Sequence, residues 1–392
     1  MRIEIVIGLN FGDEGKGARV NYLCSNRQKP LVVRFSGGHH VGHTVELKDG
    51  RRHVFHSFGS GTLKSAPTFW SKYCTIYPIT FMKEYTDIKN SFDILPVSYF
   101  DPNVAVTTIW DVMYNQALEK SRDIRHGSVG LGFGATIERQ LTPYTLYFKD
   151  LYYPSVMEYK LNNIKQYYKN KVTEKVLPFF DFETNEDEFK QSVKNMLSSN
   201  VFVKPEKEIF SEKYDFIFEG SQGILLDQDC GFFPNVTRSN TVSKNAIEII
   251  KRNFSDDTEI NINYISRIYM TRHGNGIFPT EGKTDHIKLK EDKTNFTNTW
   301  QGNLRKGCLD LELLKYSVNS NRIMNNNIKT EESIVFSCMD HLKDINSVLI
   351  KDIDNEYKTI SYKDLCDILV KLLNNKNLKF FRSYNPFSEY EE

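Results

Sequence analysis

Residues 7–20 read Ile-Gly-Leu-Asn-Phe-Gly-Asp-Glu-Gly-Lys-Gly-Ala-Arg-Val, directly after the apolar run Ile3-Glu4-Ile5-Val6. A short buried strand, a glycine-rich turn with a lysine, and then a helix make a phosphate cradle. Open backbone N–H groups at the helix start face an anion, and the lysine adds a mobile charge. The loop departs from the usual Gly-x-x-x-x-Gly-Lys-[Ser/Thr] pattern. Asn10 stands at the first glycine, and Gly17 stands where a magnesium-binding hydroxyl is expected. Asp13 and Glu14 sit inside the loop. A carboxylate beside phosphate is repelled unless a cation lies between them or the acid has its own proton chemistry. The loop therefore suggests a nucleotide, magnesium and an acid–base step.

A second cluster follows. Leu31-Val32-Val33-Arg34-Phe35 reads as a buried strand and runs into Ser36-Gly37-Gly38-His39-His40-Val41-Gly42-His43-Thr44. Glycines there let the backbone approach a ligand closely. A lone histidine is more often structural, but three in one glycine turn point to a site. Their spacing does not suit zinc, and no cysteine lies near enough to complete such a set.

The two motifs in this order resemble adenylosuccinate synthetase, and the resemblance recurs along most of the chain. Gly127-Ser128-Val129-Gly130-Leu131-Gly132-Phe133-Gly134-Ala135 is similar to the family's Gly-Thr-Thr-Gly-Arg-Gly-Ile-Gly-Pro loop. Phe218-Glu219-Gly220-Ser221-Gln222-Gly223 resembles its Glu-Gly-Ala-Gln-Gly stretch, continued by Pro234-Asn235-Val236-Thr237-Arg238. Gly274-Asn275-Gly276-Ile277-Phe278-Pro279-Thr280-Glu281 matches another segment.

The resemblance implies a reaction with a clear chemical logic. A purine 6-oxo group does not leave as hydroxide. Phosphorylation of O6 makes it a leaving group that an amine displaces. The amine implied is L-aspartate, the acceptor IMP and the donor GTP, with Mg2+. By the same carry-over, Asp13 is the base and a metal ligand, with the carbonyl of Gly42 as another. His43 is the acid, Lys16 neutralises phosphate, and Gln222 positions the purine ring. Gly12, Glu14, Gly15 and Gly17 frame phosphate. His40, Ser128, Thr237 and Arg238 fall at nucleotide or 5′-phosphate positions. Asp340 and Pro386 fall at the triphosphate base site, and Thr299, Asn303 and Arg305 on the aspartate loop.

Several positions depart from the family. Pro143 stands where a partner subunit's arginine usually reaches the 5′-phosphate, Val129 replaces a threonine, and His40 replaces an asparagine. Arg238, Arg125 or Arg139 could supply the missing charge, although a surface salt bridge is the better reading of the last two. Asn303 stands at an arginine that contacts aspartate and the ribose 2′-hydroxyl. Cys338 replaces the lysine of a guanine-reading Lys-x-Asp, which brings ATP or dATP into consideration as donor. Asn21 replaces an aspartate. These changes motivate a second reading: the viral relative that uses dGMP to make 2-amino-2′-deoxyadenylosuccinate. A nucleotide-binding protein without ligase activity, and a synthetase that acylates amines with ATP, are further alternatives.

Composition limits the rest. The chain has 392 residues and a formal net charge of +1, which argues against a general nucleic-acid binder. No long uncharged stretch could span a bilayer, and no signal segment opens the chain. Six cysteines are scattered without close pairs, so a reduced cytoplasmic protein is expected. The family resemblance implies a homodimer. The expected fold is α/β: one large domain, a central mostly parallel sheet, the P-loop-like start and a helical insertion at about 152–214. Residues 45–60 read as a hairpin, 75–78 and 104–107 as short strands, 111–121 and 361–374 as helices, and 259–269 and 333–339 as strands.

Overall fold

The computed structural model describes residues 2–123, 128–288, 303–326 and 328–392. Its centre is a nine-stranded sheet. In chain order the strands are β1 (Arg2–Gly8), β2 (Pro30–Arg34), β3 (Thr68–Trp70), β4 (Ser98–Phe100), β5 (Val201–Val203), β6 (Asp215–Gly223), β7 (Glu259–Arg267), β8 (Glu331–Ser337) and β9 (Lys379–Arg382). Across the sheet they run β9-β8-β7-β1-β6-β2-β3-β4-β5. Every adjacent pairing is parallel. The first strand is thus interior to the sheet, fourth of nine, with Ile5 opposite both Phe218 and Ile262.

A parallel sheet needs both faces covered, so its strands read as apolar runs. Ile3, Ile5 and Ile7 enter one core layer, together with Phe218, Ile262 and Ile334. Val6 faces the other way, onto Val20 and Leu23 of α1 (Lys16–Ser25). Glu4 is also buried, and its Oε2 accepts from Asn261 Nδ2 at 2.6 Å and Asn263 Nδ2 at 2.9 Å. A second apolar core, around Trp70, Phe100, Trp110 and Phe148, lies under the β3–β5 end of the sheet.

The hairpin is present as His43–Glu46 paired antiparallel with Arg52–Phe55. The segment 152–214 holds helices Pro154–Lys171, Asp187–Leu197 and Glu206–Ser211. It also carries β5, so it completes the sheet edge as well as covering it. The strand expected at 75–78 ends at Ile76, and Pro78 opens a helix that runs to Phe92. Proline suits a first helical turn, where its missing N–H has no intrahelical partner. Among the described residues no helix is long and apolar enough to cross a membrane.

Arg139 is neither a surface residue nor a ligand for phosphate. It is fully buried, and Nε and Nη2 donate to Asp111 at 2.8 and 3.0 Å. Nη1 and Nη2 also donate to the carbonyls of Tyr144 and Val106. Asp111 in turn caps its own helix through the backbone N–H of Thr108 and accepts from Tyr168 Oη at 2.7 Å. Removing one side of a buried, hydrogen-bonded pair leaves the other charge unpaired. Arg139→Ala is therefore expected to cost about 3–5 kcal/mol of stability, read by urea unfolding.

Candidate active site

In a parallel sheet, loops leaving the carboxyl ends of the strands build the crevice where ligands bind. Here the ends of β1, β2, β6, β7 and β8 converge on one cavity of about 690 Å³. Asp13, Lys16, His40, His43, Gln222 and Asp340 all line it. Gly12, Glu14, Gly15, Gly17, Gly42 and Pro386 belong to the same wall.

The β1 loop is shaped by its backbone. Asp13 has φ 58°, Gly12 89° and Gly15 98°. Aspartate tolerates the left-handed region better than most side chains. Gly15 caps α1 without a side-chain hydrogen bond, so the first-turn N–H groups remain open to an anion. Gly17 is constrained by space. A Cβ there would lie 2.9 Å from the carbonyl oxygen of Thr44 and 3.1 Å from Cβ of His43. The His43 backbone crosses directly over α1, which explains why no serine or threonine follows Lys16.

Glu14 turns inward. Its Oε1 accepts from Asn10 N at 2.7 Å and Asn10 Nδ2 at 2.9 Å. Burial raises its carboxyl to about 8, so a second bare anion beside Asp13 is avoided. Asp13 keeps its side chain in the cavity, with Oδ2 4.0 Å from His273 Nδ1. Arg267 at the end of β7 donates from Nε to the Asp13 carbonyl at 2.6 Å and from Nη1 to Tyr269 Oη at 3.0 Å. Tyr269 Oη in turn meets His341 Nδ1 at 2.9 Å. Lys16 Nζ donates to the Gln222 carbonyl at 2.5 Å, and burial lowers its pKa.

His43 is held by a partner that the sequence did not single out. Its Nδ1 lies 2.7 Å from Glu219 Oε1. Ser60 donates both its hydroxyl and its backbone N–H to the same carboxylate. Glu219 is fully buried, yet His43 and Arg34 hold its carboxyl down at about 2, so it is an anion. This fixes the ring with Nδ1–H on Glu219, and the buried Nε2 has no partner. Burial pushes His43 down to about 4. Negative charge arriving at Nε2 would raise it again.

The C-terminal segment forms another wall. Tyr390 lines the cavity and meets Tyr22 edge-on at 5.1 Å. The Arg19 guanidinium lies 4.3 Å from the Phe381 ring centre and 4.9 Å from that of Tyr390. Asn21 is buried and donates to Ser388 Oγ at 3.1 Å, so it holds this segment and is not on the cavity wall.

A sequence profile of the adenylosuccinate synthetase family matches residues 5–357. This chain belongs to that family. It is 30% identical over 326 residues to the adenylosuccinate synthetase of Thermoplasma volcanium, covering 81% of this chain and 72% of the relative. It is 31% identical over 330 residues to that of Chlorobaculum parvum, covering 80% and 73%. The fully ligated adenylosuccinate synthetase of Plasmodium falciparum superposes with a TM-score of 0.73 over 98% of both chains, at 16% identity. Cyanophage S-2L succinoaminodeoxyadenylate synthetase, bound to dGMP and dATP, superposes with a TM-score of 0.66 at 14% identity, covering 100% of this chain and 95% of the phage chain. The protein is thus an adenylosuccinate synthetase-type C–N ligase of purine biosynthesis, with nucleotide and aspartate substrates.

Other expected residues lie off this cavity. Ser128 Oγ donates to Asn115 Oδ1 and accepts from Gly130 N. The backbone N–H of Thr237 donates to Leu226 O, and Arg238 is exposed, 4.0 Å from Glu138. Arg305 pairs with Glu281 at 2.8 Å and donates to Gly276 O. Asn303 is exposed. Thr299 and Arg125 lie outside the described residues. Glu219, Arg267, Tyr269, His273 and Tyr390 were missed. Only Glu219 stood inside a quoted motif.

Two measurements test this geometry. Gly17→Ala should push the His43 turn away and lower kcat/KM by roughly 100-fold in steady-state assays. His39 is buried, with Nε2 2.8 Å from the Leu131 carbonyl, and burial lowers it from 6.5 to about 4. As pH falls, the unfolded chain takes this proton first. The contribution is complete above 6.5 and is lost between 6.5 and about 4. His39→Gln should flatten the loss of stability across that window by about 3 kcal/mol, read by urea unfolding at several pH values.

Proposed function

We propose that the protein joins L-aspartate to C6 of IMP, after a nucleoside triphosphate has phosphorylated O6. The observation that carries this reading is that Asp13, His43 and Gln222 share one cavity with the open N-terminus of α1. A proton acceptor, a proton donor and a phosphate cradle facing one space fit phosphoryl transfer to a carbonyl oxygen. A mere binder would need neither acid nor base.

In this reading Asp13 takes the N1 proton as O6 attacks the γ-phosphorus. His43 donates from Nε2 to the charge developing at O6, while Glu219 holds Nδ1–H and steadies the imidazolium. Lys16 exchanges the Gln222 carbonyl for phosphate oxygens. The aspartate amine then bonds to C6, the C6–O6 bond breaks, and phosphate leaves with O6. The products are adenylosuccinate, a nucleoside diphosphate and inorganic phosphate.

Magnesium fits the residues present. Among the described residues no three-ligand cluster of His, Cys, Asp or Glu occurs, which is not the donor set of a protein-caged metal. A single carboxylate, Asp13, and the Gly42 carbonyl suit an ion that keeps water and takes most ligands from phosphates. When bound, it would neutralise charge on the transferring phosphoryl group.

GTP is the donor this reading favours, because the Asp340 carboxylate on the cavity wall can accept from guanine N1–H and N2–H. ATP and dATP are the alternatives raised by Cys338. The dGMP-using reaction is the second reading, motivated by Asn303 and Asn21, which stand where the family resemblance implies an arginine and an aspartate. The cytoplasm and a homodimer follow from the family resemblance as parts of the same proposal.

A matrix of IMP, GMP, dIMP and dGMP against GTP, ATP and dATP tests it by phosphate release with and without aspartate. Aspartate-dependent release with IMP is expected. Turnover of dGMP without IMP would select the second reading, and no aspartate-dependent release with any purine would sink both. In the productive combination, Asp13→Asn and Glu219→Gln should each lower kcat by roughly 100-fold or more, with KM for IMP little changed.

A further inference from the structure

His40 was expected among the phosphate contacts, but its ring is engaged elsewhere. Its Nε2 lies 2.9 Å from Nε2 of Gln222. Its Nδ1 is shielded from solvent and has no partner. The ring packs on Phe133 with centroids 4.1 Å apart and planes tilted by 33°. Gln222 itself sits at φ 54°, next to the last residue of β6. Its amide oxygen is also buried without a partner. Among the described residues this rotatable amide therefore has one hydrogen-bond partner, and that partner is an imidazole.

An amide offers a donor at one end and an acceptor at the other, and the tautomer of the facing imidazole selects between them. With Nε2 bare, the Gln222 NH2 group donates to it and the carbonyl end is left for the ligand. Nδ1 then carries a buried proton with no acceptor. With the proton on Nε2, His40 donates to the amide oxygen after a half-turn of the amide. Nδ1 is then a bare lone pair, and an unpaired buried acceptor is tolerated better than an unpaired buried N–H. The NH2 end now faces the ligand.

We infer that His40 is a positioning residue that sets which end of the Gln222 amide meets the purine, and so makes the site select 6-oxopurines. This rests on the purine reading given under Proposed function. A 6-oxopurine shows only acceptors, O6 and N7, along that edge. Only the NH2 end of Gln222 can hold it; that end faces His40 in this structure, and His40 as an Nε2–H donor would turn it outward by the half-turn of the amide. A 6-amino group presents a donor there and meets a donor, which disfavours the 6-amino product.

The test is a double-mutant cycle in the intact enzyme with the best nucleotide pair from the matrix. His40→Phe keeps a ring on Phe133 but removes the donor. It should lower kcat/KM by roughly 10- to 100-fold, mostly in kcat. In a Gln222→Ala background the same change should cost less than twofold, because His40 acts through the amide. His40→Gln, whose own NH2 can reach the amide oxygen, should recover most of the loss. A His40→Phe penalty of equal size in both backgrounds would assign His40 to another group, such as the 5′-phosphate, and overturn the inference. Full activity of His40→Phe would overturn it as well. An unmodified enzyme without aspartate-dependent turnover would instead remove the purine reading beneath it.

Discussion

The backbone of His43 passes so close to Gly17 that no side chain fits between them. That contact fastens the loop after β1 to the loop after β2. The first loop carries a carboxylate and an open helix end, and the second carries an imidazole. Neither is positioned by its own strand alone. Glu219, midway along β6, then locks the imidazole through Nδ1. Because β6 lies between β1 and β2, the central three strands fix all three groups in one frame. The sheet register therefore becomes the geometry of the site.

The electrostatics follow from this packing. Glu219 remains an anion in a fully buried position because His43, Arg34 and Ser60 surround it. At Glu14 burial outweighs the Lys16 charge and the two Asn10 hydrogen bonds, and its carboxyl is pushed up. Two buried acids of the same type thus take opposite protonation habits within one cavity wall. Burial also leaves His43 ready to gain charge when phosphate arrives, and it lowers Lys16 from its usual range. The empty site is held in a state that an anionic ligand completes.

Much of this was legible in the sequence, for identifiable reasons. Asp13, Lys16, His43 and Gln222 stand in glycine-rich turns directly after apolar runs, so local pattern places them at strand ends. The parallel sheet was legible because β1, β2 and β8 are apolar on both faces. Arg267, Tyr269 and His273 were not, since they end or follow β7 outside any glycine-rich turn and reach the site only through the fold. Arg139 was misjudged because sequence cannot show that Asp111 and Tyr168 surround it. The helix from Pro78 was hidden by a β-like Thr75-Ile76-Tyr77 run before the proline. The 152–214 region looked wholly helical because β5 is only three residues long.

The clasp of Arg19, Asn21 and Tyr22 on the C-terminal segment joins partners at least 362 positions apart, Asn21 and Ser388 by 367. The helix that begins in the phosphate loop thus grips the segment that brings Tyr390 to the cavity wall. Loosening residues 381–390 would therefore open one side of the vessel while leaving every group that handles a proton in place.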